Sequence, residues 1–146
     1  MLKVYLPCNT QQEIGGGFTF LSNLRNGLKG QVEFVNDWRN CDIYFVAGVT
    51  LAPRDEVEEV KKAGKKIVFR VDNIPRKSRN KRSRVYENMA RYGAISDAVV
   101  YQSKWAKEYA GYLVREKQES IIIYNGVDQK IFYPKVSNNR YRYLFV

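Results

Sequence analysis

The sequence predicts an α/β fold, a doubly wound and mainly parallel sheet of about six strands, on three observations. Short apolar runs rich in β-branched and aromatic residues recur along the chain, among them Lys66-Ile67-Val68-Phe69-Arg70-Val71 and Ile121-Ile122-Ile123-Tyr124. They are continuous rather than alternating, as expected of strands covered on both faces. Segments with apolar residues at helical spacing separate most of them, and strands alternating with helices build a parallel sheet. At 146 residues the chain is long enough for one domain with a core of its own.

The elements follow in order. Leu2 to Leu6 reads as the first strand, ended by Pro7, and a polar loop from Asn9 to Gln12 leads into Gly15-Gly16-Gly17. Phe20, Leu21, Leu24 and Leu28 then recur at helical spacing, with Gly30 placed to end the helix. Gln31 to Val35 and Asp42 to Val46 read as strands separated by a polar turn at Asn36 to Asn40. Pro53 marks a helix start, and Val57, Val60 and Ala63 form its apolar stripe before Gly64. Lys66 to Val71 is the fourth strand, and the segment from Asp72 to Asn80, which carries Pro75, is a loop. Tyr86, Met89, Ala90 and Tyr92 mark a helix predicted to end at Gly93. Ala98 to Tyr101 is a strand, Ser103 caps a helix carrying Trp105, Tyr109 and Leu113, and Ile121 to Tyr124 is the sixth strand.

Composition narrows the function classes. A hydrophobic content of 45% with 14% aromatics belongs to globular chains. No apolar run approaches the roughly 18 residues that a membrane span needs. The opening Met1-Leu2-Lys3-Val4-Tyr5-Leu6-Pro7 turns polar too early for a secretory signal, so a cytoplasmic setting is expected. Cys8 and Cys41 do not form a Cys-x-x-Cys pair, and the chain has no histidine. No metal site is expected, and catalysis by Ser-His-Asp or Cys-His is excluded. The formal charge of +10 points to an anionic partner, whether nucleotide phosphates, a lipid headgroup surface or nucleic acid.

Four stretches carry the chemistry. Gly15-Gly16-Gly17 stands between the first strand and a helix, where free backbone N–H groups and the positive end of the helix dipole favour an anion. Glycine there lets a phosphate approach the backbone, though a tight turn without a ligand explains the same letters. Neither a Gly-Lys-Ser/Thr phosphate loop nor a complete dinucleotide fingerprint is present, since Phe20 stands where a third small residue belongs. Phe69-Arg70-Val71-Asp72-Asn73 ends a buried strand with a cation, a carboxylate and an amide, at the sheet edge where ligands of open parallel sheets collect. Arg70 suits a phosphate or a sugar carboxylate, and Asp72, the candidate catalytic residue, suits acceptor hydroxyls. An Arg70–Asp72 pair or a capping carboxylate is the structural alternative. Asp97-Ala98-Val99-Val100-Tyr101-Gln102-Ser103-Lys104-Trp105 is the third stretch: Gln102, Ser103 and Lys104 are donor-contact candidates, and Ser103 as an N-cap with Trp105 as packing explains the same letters without a ligand. The fourth, Arg76, Lys77, Arg79, Lys81, Arg82 and Arg84, is a basic block without interleaved aromatics, suited to a polyanion or a membrane surface rather than to stacking on single-stranded nucleic acid.

The end of the chain joins these stretches. Ile121-Ile122-Ile123-Tyr124 runs into Asn125-Gly126-Val127-Asp128 and then Ile131-Phe132-Tyr133-Pro134, and the chain closes on Tyr141-Arg142-Tyr143-Leu144-Phe145-Val146. That ordered set closely resembles the linker between the two halves of nucleotide-sugar-dependent glycosyltransferases of the GT-B, family 4 type. There a phrase like "NGVD" followed by "F.P" leaves the first domain, and an apolar "LFV" strand opens the second. Phe69 to Asn73 looks like the "R-x-D-G" strand end of some of these enzymes, with Asn73 in place of glycine, and Asp97 to Ser103 is similar to their "D-x-v-i-x-x-S" phrase. Many of them place a histidine on this edge, and this chain has none.

The resemblance covers Gly15 to Val146 and implies a Rossmann-like, acceptor-side domain over residues 1–126, an interdomain linker over 127–140 containing Asp128, and the first strand of a second domain at 141–146. It implies transfer of a sugar from a nucleotide sugar to an acceptor hydroxyl, with retention of anomeric configuration. Gly16, Gly17, Arg70, Asp72, Asn73, Ser103 and Lys104 would face the cleft, and Asn125 and Gly126 would open the linker. The nucleotide sugar would be a substrate rather than a tightly bound cofactor, and no metal would be needed. Expected partners are the donor, a hydroxyl acceptor, the second domain in cis and, through the basic block, the anionic inner face of a membrane. Without the second domain the chain is expected to be inactive. The competing reading is a stand-alone basic α/β module that binds nucleic acid or other polyanions, and steep salt dependence would mark it.

Overall fold

The computed structural model describes residues 1–7, 15–72, 74, 83–114 and 119–126. Its elements are β1 (Leu2–Tyr5), α1 (Gly16–Gly27), β2 (Val32–Val35), β3 (Ile43–Val46), α2 (Arg54–Lys62), β4 (Lys66–Val71), α3 (Ser83–Ile95), β5 (Ala98–Tyr101), α4 (Lys104–Val114) and β6 (Ser120–Ile122). A single 3₁₀ turn, Trp38–Asn40, lies between β2 and β3. The six strands form one sheet in the order β2-β1-β3-β4-β5-β6, and every pairing is parallel. This is the predicted doubly wound, Rossmann-like arrangement. The chain moves outward from β1 to β2, returns past β1 to β3, and then adds strands in the other direction. The reversal opens a crevice at the carboxyl ends of β1 and β3, where ligands of such sheets bind.

The strand residues sort by face, since successive side chains point to opposite sides. Tyr44, Val46, Ile67, Phe69, Val71, Val99 and Tyr101 are buried against Val57 and Val60 of α2, Met89 and Tyr92 of α3, and Ala106, Ala110 and Val114 of α4. On the other face Val4, Leu6 and Ala47 pack with Leu21 of α1, flanked by Phe20, Leu24, Val32, Phe34, Ile43, Phe45 and Leu51. Two phenols inside the larger core have hydrogen-bond partners. Tyr44 donates to Glu56 at 2.6 Å and Tyr92 to the Ala52 carbonyl at 2.9 Å. Burial above all pushes both phenols up, Tyr92 to about 12.

Helix ends follow local chemistry. Pro53 holds extended backbone at the N-cap of α2, whose first turn carries Asp55 and Glu56 and whose last turn carries Lys61 and Lys62, matching the helix dipole at both ends. Gly64 follows with φ 73°, which glycine adopts without strain. At the amino edge of the sheet, Asp97 accepts from Ile67 N–H at 2.9 Å and from Lys61 and Lys66, fastening β5 to β4. Its partial burial pushes the carboxyl upward, and those three donors outweigh it and hold it below its ordinary value.

The α3 helix runs past its predicted end. Gly93 lies inside it, and a Cβ there would meet Val114 Cγ1 at 2.6 Å and the Val114 backbone oxygen at 2.8 Å. The glycine is present because α4 passes against it, not because the helix stops. In α1 the helix closes at Gly27 with Leu28 as C-cap, and Gly30, at φ 81°, belongs to the turn that follows. No helix among the described residues is long and apolar enough to cross a membrane.

Gly93→Ala is expected to destabilise the chain by about 1–3 kcal/mol through overpacking, despite better helix propensity. Gly111→Ala, in α4 with nothing within 4 Å of the added Cβ, is expected to stabilise it by about 0.5–1 kcal/mol. Urea denaturation of both variants checks the sign of each.

Candidate functional site

The carboxyl edge of the sheet gathers most of the described candidate residues. The strand registers step so that Ala47, Arg70, Val100 and Ile121 lie side by side on neighbouring strands, with Asp72 and Gln102 just beyond. Arg70 stands at the centre. It is 6% exposed, and its guanidinium donates through Nη1 to the Ala47 carbonyl at 3.0 Å and through Nη2 to Asn125 Oδ1 at 3.1 Å. Its Cζ sits 3.8 Å from the centre of the Phe20 ring, close enough for a cation–π contact, and Phe20 stacks in turn on Phe45 at 6.4 Å. Burial pulls the guanidinium below its ordinary value while Asp72 pulls it back up.

Asn125 extends this contact across the edge. Its amide donates to Gln102 Oε1, and Gln102 Nε2 donates to the Val71 carbonyl at 2.9 Å. One chain of hydrogen bonds therefore links the ends of β3, β4 and β5 to the segment that leaves β6, and the Phe20 contact adds the first turns of α1. Asp72 occupies the next position on the rim. Its carboxylate accepts from Val49 N–H at 3.2 Å, and a Cβ on Gly48 would lie 2.6 Å from its Cγ. Gly48 thus makes room for Asp72 between the carboxyl ends of β3 and β4.

The glycine loop divides its roles. Gly15 is the N-cap of α1 with φ 147°, a conformation L side chains rarely adopt, and the helix has no side-chain cap. Its carbonyl accepts from the N–H and the hydroxyl of Thr19 at 3.0 and 3.1 Å. A Cβ on Gly17 would meet Leu51 Cδ1 at 2.8 Å, so this glycine lets α1 settle on the turn after β3. Among the described residues nothing lies within 4 Å of a Cβ added to Gly16. Of the two loop glycines expected at the cleft, Gly17 serves packing, and Gly16 has no such contact among the described residues.

Ser103 is the N-cap of α4, accepting from Ala106 N–H at 3.0 Å, and Lys104 beside it is exposed. Arg70, expected to meet a ligand directly, instead lies under the rim with both terminal nitrogens engaged by the protein. Its described contacts position the rim rather than present a charge. Asn125 and Gly126 follow β6 at the same edge. Asn73, Arg76, Lys77, Arg79, Lys81, Arg82, Asp128, Cys8 and the ranges 127–140 and 141–146 lie outside the described residues, as does the Arg84 side chain.

Sequence reasoning missed Gly48, Val49 and Phe20 as parts of the site. A signal was present for the first: Val46-Ala47-Gly48-Val49 is a strand exit through glycine at the carboxyl edge. Phe20 read only as core, because nothing in helical spacing tells which apolar residue meets an arginine. The assembled edge offers helix-end N–H groups beside Gly16 for an anion and the Asp72 carboxylate for hydroxyls. Among the described residues no three metal-binding side chains converge. Comparison with family models, curated proteins and solved structures returned no match.

Gly48→Ala is expected to displace the Asp72 carboxylate and cost about 1–3 kcal/mol. Adding Asp72→Ala is expected to recover part of that loss, so the pair is non-additive in urea denaturation.

Proposed function

We propose that this chain is the acceptor-side domain of a nucleotide-sugar-dependent glycosyltransferase that moves a sugar to a hydroxyl with retention of configuration. The observation that carries the reading is the meeting of separate motifs at one sheet edge. The glycine-started helix, the Arg70–Asp72 strand end, the Gln102–Ser103 helix start and the Asn125–Gly126 exit are distant in sequence, and each belongs to the resemblance. A parallel sheet with its reversal between β1 and β3 provides the crevice that such a substrate would use.

In this reading Gly16 borders the donor diphosphate, whose charge suits the N–H groups at the start of α1. Asp72 accepts a hydrogen bond from the acceptor hydroxyl and orients its oxygen toward the sugar. Arg70 and Gln102 hold that edge and the exit segment in place. The nucleotide sugar is a substrate, and a second domain contributed beyond Val146 supplies most of the donor contacts. The basic block from Arg76 to Arg84 suits the anionic inner face of a membrane, which would make the enzyme cytoplasmic and peripheral.

The natural full-length product, assayed with a panel of nucleotide sugars, is expected to transfer sugar to added hydroxyl acceptors. Asp72→Ala is expected to lower kcat at least about a hundredfold, the range for loss of a group that orients or activates a nucleophile. The 146-residue chain alone is expected to fold and to transfer nothing. Transfer by that chain at the full rate, or no transfer by the full-length product from any donor, would overturn the proposal. Steeply salt-dependent nucleic-acid binding in the latter case would favour the polyanion-binding module.

A further inference from the structure

The outer face of α4 carries aromatic side chains that the core does not use. Ala106, Ala110 and Val114 turn inward. Trp105, expected from the sequence to pack, stands instead on the outer side with Tyr109 and Tyr112, and the three are 51%, 52% and 72% exposed. Their spacing of four and then three residues places them in one ridge about 10 Å long. Trp105 and Tyr109 lean on one another, with ring centres 4.7 Å apart and planes 33° from parallel. Each ring thereby limits the other's freedom before anything binds, which lowers the cost of ordering it against a ligand. An open groove of about 670 Å³ runs beside the ridge, lined by Tyr112, Lys104, Lys107, Glu108, Gly111 and Ile122 of β6.

Gly111 is an independent observation at the same place. Glycine inside a helix is less stable than alanine, so its presence calls for a reason. Gly93 in α3 has one, because Val114 fills the space that a Cβ would need. Among the described residues nothing lies within 4 Å of a Cβ added to Gly111, and Gly111 lines the groove. The surface also limits the kind of ligand. Three aromatic side chains exposed to this extent offer roughly 250–450 Å², against the roughly 800 Å² that each side of a stable protein interface buries. That is too little for a folded partner or a second copy. The charges of α4 are of both signs, with Glu108 beside Lys104 and Lys107 in the groove, whereas a lipid surface or a nucleic-acid backbone calls for one sign. Flat rings next to hydrogen-bond donors and an acceptor suit a neutral ligand with apolar C–H faces and a rim of hydroxyls. A chain of pyranose rings has that form.

We propose that the outer face of α4 binds a glycan chain, whose sugar rings lie on Trp105, Tyr109 and Tyr112 and whose hydroxyls exchange hydrogen bonds with Lys104 and Glu108 in the groove. The helix begins after Ser103 at the carboxyl edge, following the strand that neighbours the one carrying Arg70. The ridge therefore starts beside the candidate site. The acceptor is then a sugar polymer rather than a small alcohol, and that step rests on the glycosyltransferase reading, whereas the binding itself does not.

The test uses the full 146-residue chain with Trp38→Phe, which leaves Trp105 as its one tryptophan, titrated with linear glucan, mannan, galactan and chitin oligosaccharides of increasing length. Acrylamide is expected to quench Trp105 in the free chain and to be excluded on binding, with an affinity that rises with oligosaccharide length and holds at high salt. Tyr112→Ala is expected to weaken binding about tenfold through loss of a stacked ring. Gly111→Leu, which fills the groove, is expected to weaken it as much while leaving the urea midpoint no lower than before. Asp72→Ala is expected to leave binding unchanged. Binding without transfer by the full-length product would overturn only the glycosyltransferase reading, and transfer to simple alcohols without binding would overturn only this proposal. No binding by any of the oligosaccharides, or equal affinity in the Tyr112 and Gly111 variants, would also overturn it. So would a response confined to anionic vesicles or to oligonucleotides at low salt, a change with protein concentration alone, or a Trp105 already shielded in the free chain. Those results would assign the ridge to a lipid surface, a nucleic acid, a second copy or the chain itself, in that order.

Discussion

One buried guanidinium organises the working edge of this protein. Arg70 enters from the carboxyl end of β4 and meets a carbonyl just past β3, an amide from the segment after β6 and an aromatic ring from α1. A cation taken out of water is costly unless its donors are used, and Arg70 directs one N–H of each terminal nitrogen to a group of the rim. The geometry of the crevice is therefore tied to one side chain. Moving α1 or the exit segment requires breaking contacts to a charge held at low exposure.

Around that centre, glycines set how closely the backbone segments approach. Gly17 admits Leu51 beneath α1, and Gly48 admits the Asp72 carboxylate beside Val49. Among the described residues nothing lies within 4 Å of a Cβ added to Gly16. The polar groups left at the rim are of two kinds. Helix-end N–H groups suit an anion, and the carboxylate suits hydroxyls. A nucleotide sugar and its acceptor carry both kinds of group, which is why the edge and the proposed chemistry agree.

Much of the fold was legible because continuous apolar runs and helical spacing are set locally. Ile67 to Val71 could only be a buried strand, and Ser103 before Trp105 signalled a cap that the structure contains. Gly93 misled, since a glycine that stops a helix and one that lets another helix pass are the same letter. The site was legible by position only. That Arg70 and Asp72 end a strand at the ligand edge follows from sequence, whereas the burial of Arg70 depends on Phe20 and Asn125, which are 50 and 55 residues away. Contacts of that kind are fixed by the order of strands in the sheet, and no local pattern encodes them.

The most direct test of this account is a double-mutant cycle between Arg70→Met and Asn125→Ala, read by urea denaturation of the full chain. Hydrogen bonds to charged groups contribute about 1.5–3 kcal/mol, and the exposure of Asn125 places this one at the lower end. A coupling energy of about 1–2 kcal/mol is the predicted result. Additivity within about 0.5 kcal/mol would show that the exit segment is not held by Arg70, and the edge would then need another organising contact.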